Sequence, residues 1–395
     1  MNLFVLVLGI IFFICLIIVH ELGHFIVAIR NGVEAEEFGI FFGPTLFKHK
    51  TKKGWIFKIN LLPLGGYVKL KGEHDTDTQP GSYGASSLWV KTKIMSAGVF
   101  SNFILGVIFL LILCFLGIPQ LIPNQFGTKS DQYVVSNPNN YLVIQQVLKD
   151  SPAAQGNLKA GYKIVSLGIN KYDQTKIYTF IDLQNLTKKY QGQRVEIYYS
   201  YQNKISSTFV KMNSTQEIQN NSKNHQKFYL GVAVNQFQSG YQVLRYTWTA
   251  PIVALGTTKQ IIVLTFDGLG HALKGLFGIF SGLISNNQIA RKNAQTTASN
   301  QLVGPVGIFV ILKDGSANGI LFMLFIIAII SLTLAIMNIL PIPALDGGRL
   351  WFTLLFRSIK KPLNQRNEEI LNATGFLILL LLLGVVTYLD IKRFF

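Results

Sequence analysis

MNLFVLVLGIIFFICLIIVHELGHFIVAI, Met1 to Ile29, is the stretch on which the reading of this chain turns. No charge occurs from Met1 to Val19, and the apolar pattern resumes directly after His24. A bilayer core about 30 Å thick needs roughly 20 apolar residues of helix, so the run is long enough to cross it. It has neither the basic n-region nor the A-x-A-like cleavage site of a secretory signal, and it reads as a span. His20, Glu21 and His24 stand inside it. Such residues are costly in lipid unless they face a protein interior and do chemical work.

His20-Glu21-Leu22-Gly23-His24 is an H-E-x-x-H motif. At 3.6 residues per turn the two histidines lie one above the other on one helix face, where both imidazoles can reach one zinc ion. Glu21 falls beside them, placed to take a proton from metal-bound water. Catalytic zinc usually has three protein ligands and one open position. The expected third ligand is Asp346, the only carboxylate from Gly315 to Ile359, where Pro341 and Pro343 break a helix and allow the chain to turn back.

Working outward, hydrophobic residues make up 49% of the 395-residue chain and charged residues 14%, well below the roughly 25% of soluble domains. Three further runs can span: Ile94 to Ile118, Ile320 to Leu340 and Leu371 to Leu389. Two cysteines, Cys15 and Cys114, exclude a disulfide scaffold and a thiolate zinc finger; both read as inert small residues. The net charge of +17 is read as topology, not as a nucleic-acid surface: ten Lys or Arg fall between the first two spans. A second basic cluster, including Arg349 and Arg357, falls between the last two. Both loops are expected in the cytoplasm, with both termini and the long central segment outside. Tyr246 to Ile284 is apolar but interrupted by Lys259, Asp267, His271 and Lys274; it has room for a fifth or sixth span, but its charge spacing better suits helices lying at the outer interface or packed on the bundle.

Glu37 to Leu70 alternates apolar and polar residues, with turn signals at Gly43-Pro44 and Lys53-Gly54, and reads as β-hairpins. Its tail, Leu61 to Lys69, is too apolar for an ordinary loop, and non-helical backbone at membrane depth must be buried or line a watery cavity. From Pro123 to Gln236 the composition turns polar and short β-type runs appear, among them Val195 to Tyr201 and Phe228 to Val234. The Asn- and Gln-rich run Ser285 to Asn300 is expected to be a loop. His49, His74, His225 and His271 have no ligand spacing.

An H-E-x-x-H in the first span together with Asn338-Ile-Leu-Pro341-Ile-Pro343-Ala-Leu-Asp346-Gly347 after a later one resembles the site-2 proteases, intramembrane zinc metalloproteases whose bacterial branch includes the regulator of sigma-E protease. The resemblance implies His20, His24 and Asp346 as zinc ligands, Glu21 as general base and Asn338 as a contact to the substrate backbone. It also implies that Gly65-Gly66-Tyr67 belongs to a sheet dipping into the membrane near the zinc, whose edge can pair with an unwound substrate. Ser151-Pro152-Ala153-Ala154 with Gly161 resembles the PDZ signature of these proteases. Asn157 stands where glycine is usual and Tyr162 where aspartate is usual. Gly304-Pro-Val-Gly307 and Asn102 match further positions, read here as packing features.

The expected architecture is a polytopic α-helical membrane protein with four spans, a membrane-associated β-hairpin region and one extracytoplasmic PDZ-like domain. Residues 1–122 would hold spans one and two with the hairpins, 123–236 the PDZ-like domain, 237–319 interfacial helices and an outer loop, and 320–395 spans three and four. The expected activity is hydrolysis of peptide bonds within single-span membrane-protein substrates in a bacterial cell membrane, after an upstream site-1-type protease has trimmed them. Nucleic acid is not an expected partner. The alternative is a non-catalytic PDZ scaffold with a structural metal, although structural zinc is normally closed by four protein ligands and only three candidates stand here.

Overall fold

The computed structural model describes residues 2–73, 77–135, 142–178, 180–202, 204–220, 229–234, 241–284, 303–359 and 365–394. The run Ser285 to Asn300, together with His74, His225 and Phe228, lies outside them. The chain divides into two compact units: residues 113–253 with 314–322, and residues 2–112 with 254–313 and 323–395.

In the second of these, α1 (Leu3–Arg30) is capped by the Asn2 side chain, which accepts from the Val5 N–H. Two long strands follow, β1 (Ala35–Lys50) and β2 (Ile56–Leu70). They double back at their midpoints: Glu37–Ile40 lies opposite both Lys69–Gly66 and Ile56–Ile59, while Thr45–Lys50 pairs with Asn60–Ile56. The sheet therefore has four segments. Both expected turn signals fall at reversals: the chain doubles back around Gly43-Pro44, between Ile40 and Thr45, where Phe41 and Gly43 take positive φ, and again at Thr51–Trp55 around Lys53-Gly54. Proline lacks an N–H and so interrupts a ladder without ending the strand.

Helix α2 (Leu88–Leu116) follows, and its Gly106 admits the side chain of Leu332. Strands β3 (Ile118–Pro119) and β4 (Tyr133–Val135) then lead into a six-stranded sheet. This sheet contains β5 (Leu142–Val147), β6 (Lys163–Gly168), β7 (Gln174–Lys176), β8 (Arg194–Tyr201), β9 (Lys204–Lys211) and β10 (Val232–Val234). Its order is β10-β5-β6-β8-β9, with β7 paired to β6. Helices α3 (Pro152–Gln155), α4 (Phe180–Lys189) and α5 (Thr215–Asn220) accompany it. Ile144, Ile164, Leu167, Val195 and Ile197 from alternating strand positions meet Leu183 and Leu186 of α4 in one apolar core. The expected β domain is thus present. Asn157 takes the left-handed conformation that glycine would supply, at φ 54°, and Tyr162 stacks on Tyr199 at 4.6 Å between ring centres.

Strand β11 (Val243–Arg245) pairs with β3 and β4 and leads to α6 (Ala250–Ile284). Where interfacial helices were expected, the segment holds one helix of 35 residues. Its only proline, Pro251, sits in the first turn, where no backbone hydrogen bond is lost. Asp267 and His271, which looked like interruptions, are an i, i+4 pair 3.6 Å apart.

Helix α7 (Pro305–Gly315), α8 (Ile320–Ile339), α9 (Asp346–Ser358) and α10 (Gln365–Phe394) complete the chain. Helix α9 occupies what the sequence suggested was a basic loop. Among the described residues five helices, α1, α2, α6, α8 and α10, are long and apolar enough to cross a membrane, one more than the four spans expected. Asp390, 2% exposed near the end of α10, accepts from the backbone N–H groups of Gly304 and Gly307 at 2.9 and 2.7 Å. The carboxylate meets the unpaired donors at the start of α7. This accounts for Gly304 and Gly307: a Cβ on either would press within about 3.0 Å of the Asp390 carboxylate.

Candidate metal centre

His20 and His24 are one turn apart on α1, both buried, with the Nε2 atoms 3.2 Å from each other. Asp346 opens α9, where an acidic side chain suits the positive end of the helix. Its Oδ2 lies 2.8 Å from His20 Nε2 and 3.0 Å from His24 Nε2. The three residues expected as ligands are therefore brought together across 326 positions of sequence.

The turn that delivers Asp346 is built by glycine and proline. Helix α8 ends at Ile339, Ala344 adopts φ 72°, and α9 restarts two residues later. A Cβ at Gly347 would lie 2.5 Å from the Ile339 carbonyl oxygen, and one at Gly348 would strike the Ile342 carbonyl. Only glycine lets the first turn of α9 press against the end of α8 and swing the carboxylate toward α1.

Glu21 is half-buried, and the backbone of Val68 in β2 lies beside its carboxylate. Gly66 passes beside it, so that a Cβ there would be 3.1 Å from the Glu21 Cγ. Gly65 has φ 97°, and a Cβ on it would press 2.6 Å from the Phe42 ring. Tyr67 instead lies over Gly39, stacks on Phe42 at 5.8 Å and reaches Glu37, which holds Lys58 at 2.7 Å. Lys58 and its hydrogen bond hold the Glu37 carboxyl below its ordinary range. Of the three residues, Gly66 is the one placed against the candidate base. Asn338 is half-buried, one residue before the end of α8, and its side chain makes no hydrogen bond among the described residues.

A cavity of about 70 Å³ opens beside Glu21, His24 and Asp346, and its further wall includes Glu73, Tyr83 and Arg349. Glu34, Glu36 and Glu37, the nearest alternative carboxylates in sequence, are engaged by Lys71, Lys69 and Lys58.

The residues fit a metal ion. The donor set, two imidazole nitrogens and one carboxylate oxygen, is that of catalytic zinc. The ligand atoms are spaced close to the roughly 3.3 Å edges of a tetrahedron with 2.0–2.1 Å bonds. His24 Nδ1 donates to the Ile94 carbonyl at 2.7 Å, which leaves Nε2 with its lone pair toward the cluster. Gly98 of α2 keeps open the space beside both rings, since a Cβ there would lie 2.8 Å from His20 Nε2 and closer to His24 Nε2.

The sequence reading missed three contributors. Gly98 and the Ile94 carbonyl lie in α2 without any motif to mark them. Asn102, read as a packing residue, instead points at the His20 ring, with its amide nitrogen 3.4 Å from Nδ1.

Helices, a half-buried glutamate and a His, His, Asp triad facing a small polar cavity together define a membrane metallopeptidase. Comparison with known proteins agrees. The profile of peptidase family M50 matches residues 8–382, and the chain belongs to that family. A provisionally named zinc metalloprotease of Clostridium perfringens is 30% identical over 96% of both chains. Another, of Campylobacter jejuni, is 30% identical over 96% of this chain and 90% of its own. A provisionally named protease of Enterococcus faecalis, Eep, is 25% identical over 99% of this chain and 98% of its own.

Proposed function

We propose that this chain is an intramembrane zinc endopeptidase that hydrolyses peptide bonds within the membrane-spanning segments of single-span substrates. The observation that carries the reading is the convergence of His20, His24 and Asp346 beside Glu21 on helices apolar enough to span. His20 Nε2, His24 Nε2 and one Asp346 oxygen hold the metal. Zinc, when bound, lowers the pKa of its water and polarises the scissile carbonyl.

The chain's own groups do the rest. Glu21 takes the proton of the attacking water and returns it to the leaving amine. Gly66–Leu70 pairs with Ala35–Ile40 on one side, and its other edge can take an extended substrate in β-pairing beside Glu21. Such pairing requires the substrate helix to unwind first, because a helix interior hides its carbonyl carbons. Small or helix-breaking substrate residues near the cut therefore favour cleavage. Asn338, with its amide unengaged, is a second contact for the unwound backbone.

The wider setting follows the same reading. The chain lies in a bacterial cell membrane, with the basic segments after α1 and around α9 in the cytoplasm and the six-stranded domain outside. That domain is PDZ-like, and it excludes substrates until an upstream protease has removed their outer parts. Anti-sigma factors and signal-peptide remnants are the substrate classes proposed. Changing Glu21 to Gln removes the base but no ligand. Zinc content is expected to be unchanged while cleavage of a model transmembrane substrate is lost; full zinc with normal turnover would reject Glu21 as the base.

A further inference from the structure

The geometry points to Asn102 as a positioning residue that selects the metal-binding tautomer of His20. The inference rests on the zinc reading above. Asn102 lies in α2 and is 1% exposed, and a primary amide in such a place is costly unless both its ends are bonded. Its backbone carbonyl is occupied, accepting from the Ser331 hydroxyl at 2.7 Å. Its side-chain nitrogen lies 3.4 Å from His20 Nδ1, and its side-chain oxygen, fully buried, has no donor among the described residues.

A neutral imidazole has one donor nitrogen and one acceptor. Without metal, His20 is self-consistent as arranged: Nε2–H donates to Asp346, and the Nδ1 lone pair accepts from the Asn102 amide. A metal ligand needs the opposite tautomer, with Nε2 bare and the proton on Nδ1. That Nδ1–H would then face an N–H donor. A half-turn of the amide, whose two ends are nearly the same size, puts the orphaned oxygen where the proton needs an acceptor. One side chain can thus serve both states of the ring without repacking.

The neighbouring histidine is treated differently. His24 Nδ1 meets the Ile94 carbonyl, a fixed acceptor that keeps one tautomer throughout. His24 is therefore preset for metal, whereas His20 is set by an amide that can turn. Asn102 acts on the metal only through the ring it holds.

Zinc affinity separates this role from packing. The purified full-length protein would be titrated against a chromophoric zinc chelator, beside the Asn102→Ala, Asn102→Asp and Ser331→Ala variants. Loss of the acceptor in Asn102→Ala is expected to weaken zinc binding 10- to 100-fold, the usual range for an outer partner of a ligating histidine. Asn102→Asp supplies an acceptor in either orientation and is expected to bind as tightly as the parent or more so. Ser331→Ala disturbs the packing around Asn102 and is expected to leave affinity within about twofold. Parental affinity in Asn102→Ala, or equal losses in Asn102→Ala and Asn102→Asp, would overturn the assignment. So would a loss in Ser331→Ala matching that in Asn102→Ala. If the parent itself binds no zinc, it is the metallopeptidase reading that fails. Should Asn102→Ala not fold, Asn102→Asp against the parent still decides, because a tenfold loss there is incompatible with an acceptor role.

Discussion

Substituting alanine for Gly98 places one methyl group against the two histidine rings of the candidate metal site, which are its nearest neighbours. That methyl would lie 2.8 Å from His20 Nε2 and closer to His24 Nε2, whereas ordinary contact begins near 3.4 Å. Each ring must retreat by about 0.6 Å or more, against a tolerance of roughly 0.2 Å in ligand distances. Neither ring is free to retreat. His24 is tied to the Ile94 carbonyl at 2.7 Å, and both rings sit on the same two turns of α1. The expected loss in zinc affinity is at least about 100-fold, or roughly 2.7 kcal/mol. Overpacking should also lower global stability by about 1–3 kcal/mol. Zinc retained after dialysis against a graded chelator series measures the first, and thermal unfolding in detergent the second. Gly106→Ala is the control on the same helix, because its added methyl meets mainly the movable Leu332 side chain and should spare zinc. A Gly98→Ala protein that keeps parental zinc affinity would mean that the rings do not occupy the positions described.

Asp390→Ala should lower thermal stability while leaving zinc affinity unchanged, since it strips the Gly304 and Gly307 donors of a charged acceptor at a place remote in role from the metal. Bonds of that kind contribute about 1.5–3 kcal/mol each, so a variant as stable as the parent would refute the anchor. Asp131 predicts a pH effect. Burial works against its charge, but hydrogen bonds from Thr249 and Thr247 outweigh that and hold its carboxyl well below the usual range. A depressed folded-state pKa stabilises above the unfolded value near 3.9 and is lost only as pH falls further. Unfolding followed across acid pH should therefore lose a component below about pH 4 in the parent and not in Asp131→Asn; identical profiles would count against it.

The metal centre was legible because its chemistry is local. Two histidines and a glutamate within five residues of an uncharged helix have few structural explanations, and Asp346 had no competing carboxylate nearby. Helix α9 was not legible. Pro341, Pro343 and the arginines that follow resemble a loop, and only the backbone contacts permitted by Gly347 and Gly348 reveal a helix restarting at once. The continuity of helix α6 was hidden for a related reason: its charges were counted as interruptions, yet Asp267 and His271 pair with each other along the helix. Asn102 could not have been found from spacing, because its role depends on which atom of α1 its amide meets.

The distance in sequence between the two halves of the zinc site has a consequence for how the protein is made. Residues 20 and 24 emerge from the ribosome first, but Asp346 and the glycines that turn it inward come more than three hundred residues later. A nascent chain holding only α1, α2 and the six-stranded domain carries the candidate base and two candidate ligands but not the third. On that assignment, hydrolytic competence cannot arise before residues 341–348 have been made. Damage to other half-inserted membrane proteins is thereby deferred by the order of the codons alone.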